Sequence, residues 1–164
     1  MSPAILVSSC LIGEKCAYDG RGRAVSVVKE LCERFRCICV CPEMSGGLGC
    51  PREVHEIAGG SGEDILDGKA RVLSLSGKVR TGHFMRGAKI ALEKALQNSI
   101  SVAILKRHSP SCGKNRIHAG KFDGTLRDGN GVTTALLLRH GIRVFSEDEL
   151  ENAAQALCAS PIEK

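Results

Sequence analysis

Three short apolar runs, at residues 4–7, 37–40 and 102–105, and a fourth short segment at 142–145 that is apolar but for Arg143, alternate with longer stretches whose apolar residues recur every three or four positions. Short continuous apolar runs read as strands buried on both faces. The three-four spacing reads as helices that pack on those strands. Helices are expected at 25–35, 81–97, 131–140 and 148–157. In the strongest of them Phe84, Ala88, Ala91, Leu92, Ala95 and Leu96 share a face, with Thr81 placed as N-cap. Strand alternating with helix predicts a mostly parallel sheet with right-handed crossovers and helices on both faces. The fold expected is a single-domain α/β architecture, Rossmann-like and three-layered. A chain of 164 residues suits one such domain, and no repeat or linker divides it, so residues 1–164 read as one unit. Residues 53–80 fit the pattern least. Gly59-Gly60-Ser61-Gly62 is flexible and 71–75 has the character of a short edge strand, so this part is expected to be a less regular excursion near the site.

A parallel sheet puts the carboxyl ends of its strands on one edge, where open α/β proteins bind ligands. Cys10, Cys41 and Cys112 each arrive at or just after such an end. Neighbouring strands lie about 4.8 Å apart, so adjacent loops can bring three thiols together. Crowded thiolates repel, and stay protonated unless a cation holds them. A metal or cluster resolves the conflict. Zinc would take four closed ligands, or three and a water. An iron–sulfur cube held by three cysteines would leave one iron with an open position.

Other residues at this edge carry weight too. Ser109-Pro110-Ser111-Cys112-Gly113 forms a tight loop, with proline fixing one backbone angle and glycine permitting a close turn. Lys106, Arg107 and His108 place positive charge beside it, and Lys106 could balance a charged cluster. Glu43 follows Cys41 by two residues and is a candidate acid/base. Cys16 and Cys50 lie in loops on the same edge, and either could add a fourth ligand. Cys37, Cys39 and Cys41 alternate along a strand and share a face, but rigid neighbours suit one small ion poorly, so Cys37 and Cys39 read as core. Cys32 and Cys158, on helical stretches, read as small buried hydrophobes.

Composition narrows the function. Nine cysteines form an odd set in a chain long enough to need no staples, which argues against a disulfide framework. No C-x-x-C redox motif occurs. The net charge of +5 is modest, and one Tyr, four Phe and no Trp make a weak stacking platform for single-stranded nucleic acid. Nucleic acid is therefore an unlikely partner. No apolar run approaches the roughly 20 residues that span a bilayer, and the N-terminus shows no basic region before its apolar stretch. A cytoplasmic protein with no membrane contact is expected.

Taken together, Ser9-Cys10-Leu11-Ile12-Gly13, Tyr18-Asp19-Gly20, Cys41-Pro42-Glu43 with Gly46-Gly47-Leu48 and Pro51-Arg52, Ser109-Pro110-Ser111-Cys112-Gly113, and Gly141-Ile142-Arg143-Val144-Phe145 resemble the thiouracil desulfidases, a small bacterial iron–sulfur family. The resemblance runs over nearly the whole chain. It implies a 4Fe-4S cluster on Cys10, Cys41 and Cys112, with the open iron taking the substrate's thiocarbonyl sulfur. It implies conversion of 2- or 4-thiouracil to uracil and hydrogen sulfide without net redox change. The family's acidic residue falls on Glu43 and its serines on Ser109 and Ser111. A small thiopyrimidine is the expected partner, and the chain is expected to act as a monomer or homodimer. The resemblance also implies longer members that act on thionucleosides or thiolated tRNA through an extra domain, and without such a domain in these 164 residues a free base is the expected substrate.

Overall fold

A computed structural model describes residues 3–159. The chain runs β1 (Ala4–Ser8), a 3-10 turn (Ser9–Ile12), α1 (Ser26–Arg34), β2 (Arg36–Val40), α2 (Pro42–Ser45), β3 (His55–Ala58), α3 (Gly62–Leu66) and β4 (Arg71–Ser74). It continues through α4 (Thr81–Gln97), β5 (Val102–Leu105), β6 (Arg116–His118), β7 (Leu126–Asp128), α5 (Val132–Arg139), β8 (Arg143–Ser146) and α6 (Leu150–Ala159).

The expected parallel sheet is present, in the order β2-β1-β5-β8. β1 pairs with β2 from Ala4↔Arg36 to Ser8↔Val40 and with β5 at Leu6↔Ala103, and β5 pairs with β8, all parallel. β1 and β5 are buried along their whole length, which is why both read as unbroken apolar runs. Alternate residues serve opposite faces. Leu6, Ala103 and Leu105 join Ala91 and Ala95 of α4 and Leu137 of α5 in one cluster. Ile5, Val7, Val102 and Ile104 join Val28 and Leu31 of α1 and Ala153 and Leu157 of α6 in another. Helices therefore cover both faces, giving three layers.

From β1 the chain steps to β2 on one side, then crosses to β5 on the other. The strand order thus reverses between β1 and β5, and the crevice above their carboxyl ends is the topological switch point where such sheets bind ligands.

The segment expected to be least regular is ordered. β3 and β4 pair antiparallel from His55↔Ser74 to Ala58↔Arg71, with α3 between them. A second small antiparallel pair, β6–β7, follows β5. Neither pair belongs to the parallel sheet. Both are anchored by a third apolar cluster, in which Ile57, Val72 and Ile117 meet Phe84 and Ala88 of α4.

Several local expectations change. Thr81 does not cap α4: Arg80 holds that position, and the Thr81 hydroxyl accepts the Val72 amide at 3.1 Å, joining the helix to β4. Leu96 is 58 % exposed, because the helix buries small residues against the sheet and turns this side chain outward. Cys158 is exposed rather than buried. Cys32 and Cys37 form a disulfide, contrary to the reading of both as free apolar cysteines. The chain turns straight from α1 into β2, which brings their Cα atoms to 5.3 Å, within disulfide range. Both residues still pack against the second cluster.

Candidate active site

Three loops leave the carboxyl edge of the sheet and meet around a cavity of about 540 Å³. Its walls include Cys10, Cys41, Cys112, Glu43, Ser109 and Ser111, the six residues expected to hold the cluster or do the chemistry. That size lies within the range of small-molecule sites, roughly 300–1,000 Å³.

Each thiol is held by its own local structure. Cys10 sits in the 3-10 turn that β1 runs into, and Gly13, in the left-handed region, ends that turn with its amide bonded to the Cys10 carbonyl at 3.1 Å. Cys41 is the extended residue before α2, whose first turn opens on Pro42, where a missing amide costs nothing. Cys112 is fixed by α5. The Val132 amide donates to the Pro110 carbonyl at 2.8 Å and the Thr133 amide to the Ser111 carbonyl at 2.9 Å. The Thr134 hydroxyl donates to the Cys112 carbonyl at 2.8 Å. The otherwise unpaired amides at the start of α5 are thus satisfied by the loop that carries the thiol. Gly113 has no alternative there, since a Cβ would stand 2.7 Å from the Ser109 carbonyl oxygen and from Ile117.

Cys10, Cys16 and Cys112 are buried, Cys41 is half-buried, and the thiols crowd one another. Cys16, which follows the 3-10 turn, also lines the cavity and interacts with the thiols of both Cys10 and Cys41. Its contact with Cys10, with burial adding, pushes the Cys16 thiol up to about 12. Contact with Cys16 and burial push the Cys41 thiol up as well. Burial pushes Cys112 up to about 11, against hydroxyls of Ser8 at 3.4 Å and Ser111 at 3.6 Å that favour its thiolate. These thiols stay protonated unless a cation takes their protons' place, the behaviour of ligands whose affinity is coupled to deprotonation. Cys50 is different. Its thiol lies 3.3 Å from the Lys15 carbonyl and 3.4 Å from that of Ala17, behind the Cys16 loop. Of the two loop cysteines left open by the sequence, the structure brings only Cys16 into the cavity wall.

Glu43 stands on the first turn of α2, beside Cys41. Its carboxylate accepts from Arg52 Nη2 at 3.2 Å, with the two side chains 15 % and 6 % exposed. Burial raises the carboxyl above its ordinary range while the guanidinium pulls it back. That opposition suits a group that must both take and give a proton. Ser109 has a structural task inside its loop, accepting the Cys112 amide at 2.7 Å and the Ser111 amide at 3.2 Å. The two serine hydroxyls lie 3.2 Å apart. Lys106 is paired with Glu147, and its amide donates to the Ser8 hydroxyl at 2.9 Å. Its charge is already balanced within the protein.

Another part of the wall comes from outside the sheet, and of it the sequence placed only residues 53–80 near the site, without naming a side chain. It is made by Val54, His55, Glu56 and Leu75 around the β3–β4 pair, and by His118, Phe122 and Gly124 of the β6–β7 pair. The Gly-rich and Asp-rich composition of these turns carried no signal of a binding surface. Arg52 was visible only as part of a Pro-Arg motif, and its partner could not be read without the fold.

The model of the family described as 2-thiouracil desulfurase matches residues 5–149. The chain belongs to the 2-thiouracil desulfurase family. The chain is also similar to an uncharacterized protein of Bacillus subtilis, YbbK. It is 45 % identical over 148 residues, covering 90 % of this chain and 98 % of the relative. A solved structure described as a 4Fe-4S-dependent thiouracil desulfidase, TudS, superposes with a TM-score of 0.87 at 41 % identity. The match covers 96 % of this chain and 99 % of that one.

The residues of this family member fit an iron–sulfur cluster better than a single ion. Among the described residues, no three His, Cys, Asp or Glu side chains are grouped closely enough to hold one metal ion. A four-iron cube gives each thiolate a separate iron, and three thiols carried by three different elements around one cavity suit that demand.

Proposed function

We propose that this chain is a 4Fe-4S-dependent thiouracil desulfidase whose cluster is held by Cys10, Cys41 and Cys112. The observation that carries the reading is the meeting of these three thiols with Glu43 on the wall of one cavity at the switch point. The family match and the likeness to TudS support it. Bound there, the cluster supplies a sulfur-seeking Lewis acid. The protein's own groups do the rest. Glu43 activates the water that attacks the thiocarbonyl carbon and returns a proton to the ring nitrogen or to the departing sulfur. Ser111, together with Ser109, orients the pyrimidine edge, and loop amides meet charge that develops on the ring. Arg52 holds Glu43 in place. Water's oxygen replaces sulfur, and hydrogen sulfide leaves with no net oxidation.

The substrate is a thiopyrimidine of the size of a free base, 2- or 4-thiouracil. The enzyme works as a monomer or a homodimer. Among the described residues no helix is long and apolar enough to cross a membrane, in keeping with a cytoplasmic enzyme. Anaerobic reconstitution with iron and sulfide, followed by assays on both thiouracils, tests the reading. About four irons per chain, visible cluster absorbance and sulfide release are expected. Turnover by protein free of iron would overturn it.

A further inference from the structure

Phe122 lies in the seven-residue connection, 119–125, between β6 and β7, and its backbone has φ 54. A bulky aromatic in the left-handed region is a genuine outlier, and such strain persists only where the surroundings impose it. The surroundings here are unusually firm. The Ala119 amide donates to the Thr125 carbonyl at 2.8 Å, closing the base of the loop. The Gly120 amide donates at 3.1 Å to Glu56 Oε1, a buried carboxylate of β3. Gly120 itself presses on β3, where a Cβ would stand 2.5 Å from the Ile57 carbonyl oxygen. Gly120 and Gly124, on either side of Phe122, are left-handed as well.

The strain is not repaid by packing in the core. Phe122 belongs to none of the three hydrophobic clusters of the protein. Its side chain is half-buried and lines the same cavity as the thiols. An apolar flat ring held firmly at the wall of a largely apolar cavity that also holds thiols, hydroxyls and a carboxylate matches one kind of partner, a flat heterocycle with polar edges.

We propose that Phe122 is the stacking residue of the site, the surface on which the pyrimidine ring of the substrate lies while its thiocarbonyl faces the cysteines. The inference rests on the thiouracil desulfidase reading and adds to it the residue that grips the ring. Aromatic rings favour offset stacking on one another, and the face of a pyrimidine offers the same surface whether sulfur is at position 2 or 4. Phe122 therefore contributes equally to the binding of 2-thiouracil, 4-thiouracil and the product uracil.

The test uses anaerobically reconstituted wild type, Phe122→Ala, Phe122→Gly and Phe122→Tyr. Measured are kcat and KM for both thiouracils, the inhibition constant of uracil, iron content and the thermal midpoint. Phe122→Ala is expected to raise both KM values and the uracil inhibition constant together, on the order of tenfold, the scale of base–aromatic stacking. Its kcat and iron content should stay near wild type, and Phe122→Tyr should restore affinity. Phe122→Gly should bind as weakly as Phe122→Ala yet melt no lower than wild type, because glycine relieves the left-handed strain. Unchanged KM and inhibition constants in Phe122→Ala, with active wild type, overturn the stacking role alone. So does a rise in KM that follows a fall in thermal midpoint and is not restored by tyrosine. Wild-type protein that holds iron but releases no sulfide from either base overturns the desulfidase reading, and the stacking role with it.

Discussion

On one side of the cavity, loops leave the ends of parallel strands and carry cysteines; on the other, two small antiparallel pairs stand outside the sheet and carry none. The first side is rigid because its strands are. β1 and β5 are buried throughout, and the Cys112 loop is bonded to the start of α5 by the amides of Val132, Thr133 and Thr134 and by the Thr134 hydroxyl. The second side is held by apolar contacts of Ile57, Val72 and Ile117 on α4 and by single polar ties such as Glu56 to Gly120. The difference teaches a division of labour. On the function proposed, the cluster chemistry falls to the thiols at the sheet edge and recognition of the substrate ring to the wall outside the sheet.

Variants on the two sides should therefore fail in different ways. The largest effect is expected from Cys112→Ala, which should lose bound iron, visible absorbance and sulfide release together. Iron analysis after anaerobic reconstitution reads it, and a full cluster in this variant would break the division. Glu43→Gln should keep its iron but lose about 10²–10⁴ in kcat, the range of positioned acid–base groups; an iron-free variant would mean that Glu43 supports the cluster instead.

On the far wall, Ile57→Ala removes a side chain with no exposed surface from the third cluster. A cost of about 2–5 kcal/mol is expected for such a cavity, read from urea unfolding. KM should rise with iron content kept, and loss of iron in this variant would erase the distinction between the walls. Within the sheet edge itself, Cys16→Ser and Cys50→Ser form a finer contrast. Replacing Cys16, which lies against Cys10 and Cys41, should shift the cluster spectrum and shorten its lifetime in air several-fold. Replacing Cys50, turned onto the Lys15 and Ala17 carbonyls, should do neither, and equal behaviour of the two would show that the cavity does not separate them. Smallest of all is Arg139→Ala, which cuts an exposed pair with Asp67 at 3.0 Å between α5 and the residue after α3. Exposed pairs of this kind are often without measurable effect on stability, so its urea midpoint should match wild type. A clear drop would reveal that α3 is held by this pair rather than by its apolar contacts.

The sequence by itself determined the parallel sheet and the three cysteines at its edge. Unbroken apolar runs such as 102–105 occur only where both faces of a strand are covered, and strand ends in a parallel sheet share one side by geometry. Cys10, Cys41 and Cys112 could thus be placed together before any coordinates were known. Only the tertiary structure decided what surrounds them. The pairing of Glu43 with Arg52, the entry of Cys16 but not Cys50 into the cavity, the Cys32–Cys37 bond and the position of Phe122 all depend on contacts between residues whose local sequence does not mark them as neighbours. The β3–β4 and β6–β7 pairs are three or four residues per strand and flanked by glycine, too short for a period to show. Their strands exist because they pack on α4, and that packing is a property of the folded chain rather than of any stretch within it.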